Sequence, residues 1–351
     1  MTPESLTDKL TALLAEDLDR EATAGLAGRL AGSGRGPAVL ELLTELRENS
    51  RKAAAAAAEA LPQVLDVLPP GELVTWIDLV VTLSGRSGAV ALKVCRDSPG
   101  LLRELPAPSR AAALAMTLDL AEQDAPMAYE GLLQAGGVIA AAGAGALPAW
   151  ARIGADLTKW DGVLGIEYFR RGPDILRVLS VEDLKPWAGV SAKLVTPNSL
   201  GKPDYMAALA FFRMSPALLG DLASPAVRRR VLALSNTLAD RSPEQAIAFL
   251  GESPGLLRRI RDVAWQERVL QYGALVAEQD AAAALAYMRR APEVLELADP
   301  DATALVDRFE KWYRGGMEVL AYNPEAARAY FASETRKALE AIEEAASGIA
   351  L

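Results

Sequence analysis

Large apolar residues recur along the chain at the spacing of a single helical face, and the arrangement returns about every 37 residues. A column of mostly small residues marks the register: Val80, Thr117, Gly154, Ser191, Ser235, Gly273 and Gly316. Three positions after each stands an aliphatic residue: Leu83, Leu120, Leu157, Leu194, Leu238, Val276 and Val319. Four positions before four of them stands tryptophan, at Trp76, Trp150, Trp187 and Trp312. Residues i, i+4 and i+7 share one side of an α-helix, so tryptophan, small residue and aliphatic form one buried stripe. The small residue lets a neighbouring helix approach closely. The first three steps of the column are 37 residues each; the fourth is longer because Thr196 to Lys202 inserts a loop.

A second helix follows each stripe, as at Ala283 to Arg290, with Tyr287 and Met288 facing the core. Next comes a small residue and proline: Ser98-Pro99, Gly172-Pro173, Ser215-Pro216, Ser253-Pro254 and Ala291-Pro292. Serine before proline is the pattern of an N-cap and first helical position, so a short third helix is expected there. An identical Ala-Glu-Gln-Asp-Ala pentapeptide at 121–125 and 277–281, 156 residues apart, fits the same repeat. Backwards, the template places Thr44 in the small-residue column and Pro62 in the proline column, one residue short of the usual offset, with the alanine run Ala53 to Ala58 between them.

The expectation is an all-α solenoid of the HEAT, armadillo or TPR type, with about eight repeats of 37–44 residues. Residues 1–36 read as a helical cap or degenerate repeat. The repeat domain is 37–351, in units 37–70, 71–105, 106–143, 144–179, 180–222, 223–260, 261–298 and 299–351. Two joints are irregular, at 136–147 and 196–203.

Composition narrows the functional classes. The chain carries a formal charge of −9, which repels phosphate backbones and argues against a nucleic-acid binder. Histidine is absent, which excludes Ser-His-Asp and Cys-His chemistry and leaves only carboxylates for a zinc site. No metal, cofactor or catalytic residue is assigned. The lone cysteine, Cys95, cannot form an internal disulfide, consistent with the cytoplasm, and it stands in a column otherwise held by Phe169, Phe212, Leu250, Met288 and Phe331. It reads as a packed thiol. The uncharged stretch Gly131 to Ala151 is interrupted by Pro148 and reads as a buried repeat segment rather than a membrane span. Neither a phosphate loop nor a dinucleotide fingerprint is present; Gly143-Ala144-Gly145 reads as packing. The carboxylate pairs Glu343-Glu344 and Asp299/Asp301 read as solvated faces or caps.

One polar feature repeats. Arg96, Arg170, Arg213 and Arg289 share a column, with Arg171 and Arg290 beside two of them. These arginines either cap helix C-termini or form a ladder of guanidiniums that grips an acidic partner. A second basic cluster joins Arg228, Arg229 and Arg230 to Arg258, Arg259 and Arg261; residues 223–262 hold seven arginines against four acidic residues.

The phrase Ala-x-Ala-Tyr-Phe/Met-Arg-x-x-Pro-x-x-Leu, followed by Trp-x-x-x-Gly-x-x-Leu, resembles the helical repeats preceding the von Willebrand factor A domain in bacterial proteins partnered with MoxR-type AAA+ ATPases. The nitric oxide reductase and Rubisco activation proteins are relatives of that kind. The segment Ala329 to Glu340, with Ser347 to Leu351, is similar to that family's Tyr-Phe-x-x-Glu-Ser … Ser-Gly-Val-x-Leu stretch, although Ser333 and Glu334 stand in reversed order. The resemblance spans roughly 70–351, and the domain's Asp-x-Ser-x-Ser metal motif is absent. It implies a non-catalytic adaptor that holds a client enzyme or an AAA+ ATPase, as a fragment or stand-alone relative. Rival readings are an architectural or oligomerisation module, and an enzyme with its site at an irregular joint.

Overall fold

The computed structural model describes residues 3–14, 20–33, 35–197, 199–297 and 302–333. Eighteen α-helices form among them, making an all-α helical-repeat protein of the solenoid type. The chain divides into two compact units, Met1–Arg177 and Val178–Leu351.

The first unit holds five helix pairs: α1 (Pro3–Leu14) with α2 (Arg20–Ser33), α3 (Gly36–Asn49) with α4 (Arg51–Val67), α5 (Pro70–Arg86) with α6 (Gly88–Glu104), α7 (Ala107–Ala121) with α8 (Ala125–Ala142), and α9 (Leu147–Trp160) with α10 (Gly162–Leu176). First helices pack on first helices and second on second, so each pair completes its core only against its neighbour. The second unit repeats this with α11 (Leu184–Lys193) and α12 (Met206–Gly220), α13 (Pro225–Arg241) and α14 (Pro243–Arg258), α15 (Val263–Ala277) and α16 (Ala281–Leu297), then α17 (Ala302–Tyr322) and α18 (Pro324–Ala332).

Side-chain caps delimit several helices. Asp124 accepts from the Met127 amide, Asp161 from Val163 and Leu164, Asp280 from Ala283, and Asn323 from Ala326. Each satisfies first-turn donors that the helix cannot bond internally.

The Ser-Pro pairs do not start a third helix. Pro99, Pro173, Pro216, Pro254 and Pro292 all lie inside second helices. Proline removes the amide that would bond the carbonyl four residues back, and Ser253 repairs this loss: its hydroxyl donates to the Leu250 carbonyl at 3.0 Å, the acceptor orphaned by Pro254. The Pro173 ring is accommodated at Gly137 of α8, where a Cβ would lie 2.8 Å from it.

The small-residue column does what its register requires. A Cβ on Gly154 would run into the Phe169 ring, and one on Gly273 would fall 2.7 Å from the Met288 sulfur. Gly316 abuts Phe331 in the same way. Down the two columns the sizes are complementary, so Val80 is matched with Cys95 and glycine with phenylalanine or methionine.

At the N-terminal side the register moves by one residue. Thr44 is exposed and its hydroxyl turns back to the Leu40 carbonyl, whereas Leu43 is fully buried 37 residues before Val80. The offset from Leu43 to Pro62 is then the usual 19 residues. A size criterion selected the threonine; burial selects the leucine.

The joint at 136–147 keeps α8 helical to Ala142, and Gly143, at φ 81°, ends it before a short 3-10 turn. The 196–203 insertion is more ordered than a loop: Thr196–Pro197 and Pro203–Asp204 pair as two antiparallel strands, β1 and β2, with Gly201 at φ 71° in the turn. Among the described residues no helix is long and apolar enough to cross a membrane.

Candidate functional site

The arginine column lies near the middle of the second helices, far from their C-termini. Arg170 on α10 meets Glu130 of α8 at 3.2 Å, and Arg171 meets Glu167 one turn back on its own helix at 3.1 Å. Arg289 on α16 grips Glu252 of α14 through two bonds of 2.5 and 2.7 Å. That grip holds the Glu252 carboxyl below its ordinary range. Arg96 stays on its own helix, at 2.9 Å from Asp97. Asp97 also accepts from the Tyr129 hydroxyl of α8 at 2.6 Å, which pushes the phenol up to about 12. Arg213 is exposed on α12. Arg290 pairs with Glu293 and donates to the Ala332 carbonyl at the end of α18, 2.9 Å away. Two of the four column arginines, Arg170 and Arg289, thus tie successive second helices. Glu130 and Glu252 were not legible as partners, because they come from the preceding repeat.

The repeated pentapeptide is a second tie. Its aspartates cap α8 and α16, and its turn carbonyls are read by an arginine one repeat earlier. Arg86 bonds the carbonyls of Glu122 and Gln123, and Arg241 bonds that of Glu278 at 2.5 Å. A third tie sits at the start of first helices: Arg110 reaches the Leu102 and Val67 carbonyls, Arg228 those of Leu219 and Val178, and Gln266 those of Leu257 and Ile260. Arg228 of the second basic cluster is therefore structural, and its neighbour Arg229 is paired with Asp183 at 3.0 Å.

Cys95 is fully buried and its thiol is pushed up to about 12 by desolvation. Glu343-Glu344 and Asp299/Asp301 lie outside the described residues. Among the described residues, no group of three or more carboxylates or thiols is clustered for a metal ion.

One surface breaks the regular pattern. Between α7 and α9 lies a groove of about 530 Å³. Its floor is Ala112, Ala115, Ala151 and Ala155, with Met116 and Leu120 beneath. Asp119, Arg152, Asp156 and Lys159 form a rim of both signs. The origin is legible in the columns: Ala151 and Ala155 of α9 stand where α7 has Leu114 and Leu118, 37 residues earlier. Leu114 is fully buried on α7, whereas Ala151 and Ala155 give α9 less bulk beside the groove. The tie made by Arg86 and Arg241 is not made here, nor at the aligned positions Asn49, Trp160 and Glu278, which carry no arginine. Gln123 occupies the position of Arg86 one repeat on, and it bonds the Asp119 carbonyl of its own helix at 3.2 Å. Trp160, at the end of α9, is 58% exposed. No family model, curated protein or solved structure matches the chain.

Proposed function

We propose that this protein is a non-catalytic helical-repeat scaffold that receives a helical segment of a partner protein in the groove between α7 and α9. The observation that carries this reading is the paired loss of bulk at Ala151 and Ala155 beside a missing inter-repeat arginine tie. An alanine floor exposes backbone and lets another helix approach closely, and a rim of both signs suits a partner helix with charged flanks. The partner is a client enzyme or a MoxR-type AAA+ ATPase, the class that the sequence resemblance suggests.

The test is capture of partners from lysate by the full chain and by its Ala151→Leu/Ala155→Leu form, which restores the α7 side chains. The reading expects a discrete partner held by the first and lost by the second. Equal recovery by both forms would remove the groove from the account.

A further inference from the structure

The densest basic stretch of this acidic chain folds around the turn from α14 to α15. Arg258, Arg259 and Arg261 line a cleft of about 650 Å³ with Trp265, Leu295 and Glu296. The cations there differ in how far they are engaged. Arg259 is held by Glu296, with bonds of 2.8 and 3.1 Å. Arg258 reaches only Asp221, at 3.9 Å, with 72% of its side chain exposed. Arg261 is exposed and makes no ion pair among the described residues. Arg268 is exposed one turn into α15, with its guanidinium 5.1 Å from the centre of the Trp265 ring. Of the acids beside them, Glu296 and Glu293 are engaged with Arg259, the latter at 3.7 Å, and Asp262, which also lines the cleft, accepts from the Ala264 amide at 2.7 Å. Available positive charge therefore gathers around an apolar wall, in a chain whose formal charge is −9.

We infer that this cleft docks an acidic segment of a partner protein. Side-chain carboxylates of the segment meet Arg258, Arg261 and Arg268, while an intervening aliphatic residue lies against Trp265 and Leu295. Charge complementarity selects the occupant. A nucleic-acid backbone needs an extended basic track and would be repelled by the acidic remainder of the chain. Free phosphate would leave the Trp265–Leu295 wall unused. Arginine forks suit carboxylates, and an aromatic wall suits the apolar residue between them. Every residue of the cleft lies in the second unit, so the inference stands independently of the α7–α9 groove.

The test is fluorescence anisotropy of the full chain with a fluorescein-labelled decapeptide alternating glutamate and leucine. A lysine–leucine decapeptide is the control, and inorganic phosphate at constant ionic strength is the competitor. The glutamate probe is expected to bind and to weaken as salt rises. Arg258→Glu/Arg261→Glu should lower its affinity roughly ten-fold or more, about 1.4 kcal/mol. Arg258→Gln/Arg261→Gln should lower it less, and Ala151→Leu should leave it unchanged. Both cleft substitutions fall on exposed side chains, so thermal melting should match the parent. Three results would overturn the inference: equal binding of the lysine probe, indifference to both double substitutions, or displacement of the probe by millimolar phosphate.

Discussion

The indole N–H of Trp76 donates to the Ser98 hydroxyl at 2.8 Å, and Trp187 makes the same bond to Ser215 at the same length. Both bonds are buried and join the first helix of a repeat to its second. The serine of the Ser-Pro pair therefore serves tryptophan where the repeat has one, and the carbonyl orphaned by proline where, as at Ser253, it has none. Trp150 is the exception: Gly172 stands in the serine column, the indole packs against it, and Trp150 Nε1 has no acceptor.

Replacing Ser98 with alanine is expected to strand the buried Trp76 donor and cost about 1–3 kcal/mol. Adding Trp76→Phe to Ser98→Ala removes the stranded donor, so the double variant should lose less than the sum of the singles. Urea midpoints of all three forms check this. Strict additivity would show that the bond does not couple the two helices.

Close packing at Gly154 predicts a sharp contrast between two helical glycines. Gly154→Ala drives a methyl into Phe169 and should cost about 1–3 kcal/mol. A Cβ on Gly189, in α11, would meet nothing within 4 Å, so Gly189→Ala should stabilise by about 0.5–1 kcal/mol through helix propensity. Phe169→Leu combined with Gly154→Ala should recover part of the first loss. Thermal melts of the four forms decide the matter.

Those columns were legible because they are written in helical spacing within a single helix, where period alone gives the face. The misread elements fail for identifiable reasons. Ser-Pro looks the same at an N-cap as inside a helix; only the distant Trp76 indole, or the Leu250 carbonyl, shows which role the serine takes. Thr44 met the size rule and Leu43 met the burial rule, and sequence offered only the first. The Arg289 partner, Glu252, lies one full repeat away on another helix, and the spacing within a single helix does not show which repeats pair their charges. The groove was invisible for the opposite reason: Ala151 and Ala155 look like ordinary helix formers until compared with Leu114 and Leu118.

Stability should fall on the acid side through the inter-repeat carboxylates. Glu252 and Asp280 have folded pKa values below their ordinary ones, chiefly because Arg289 and Arg328 donate to them. A depressed carboxyl contributes stability that is fully present above its unfolded pKa and is lost as pH falls through the folded value. The window therefore opens below about pH 4.5 and continues downward. These pairs are partly exposed, so each contributes only about 0.2–1 kcal/mol, less at high salt. Arg289→Met should lower stability at neutral pH and flatten the acid limb, leaving stability in strong acid almost unchanged. Melting temperature against pH, at two salt concentrations, provides the measurement.

The arginine that reads the pentapeptide turn offers a way to move stability and binding in opposite directions. Arg86 bonds two carbonyls of the α7–α8 turn at once, which a planar guanidinium can do and an ammonium does less well. Arg86→Lys should therefore speed hydrogen exchange at residues 121–125 and cost about 1 kcal/mol. Gln123 is the same position one repeat later, at the mouth of the α7–α9 groove. Gln123→Arg supplies the missing tie, directed at the turn that follows α9. It is expected to raise the melting temperature of the chain while reducing capture of a groove-bound partner. Adding the tie beside the alanine floor should exchange binding for rigidity. If Gln123→Arg stabilises the fold and capture is undiminished, the groove mouth is not the entry for the partner.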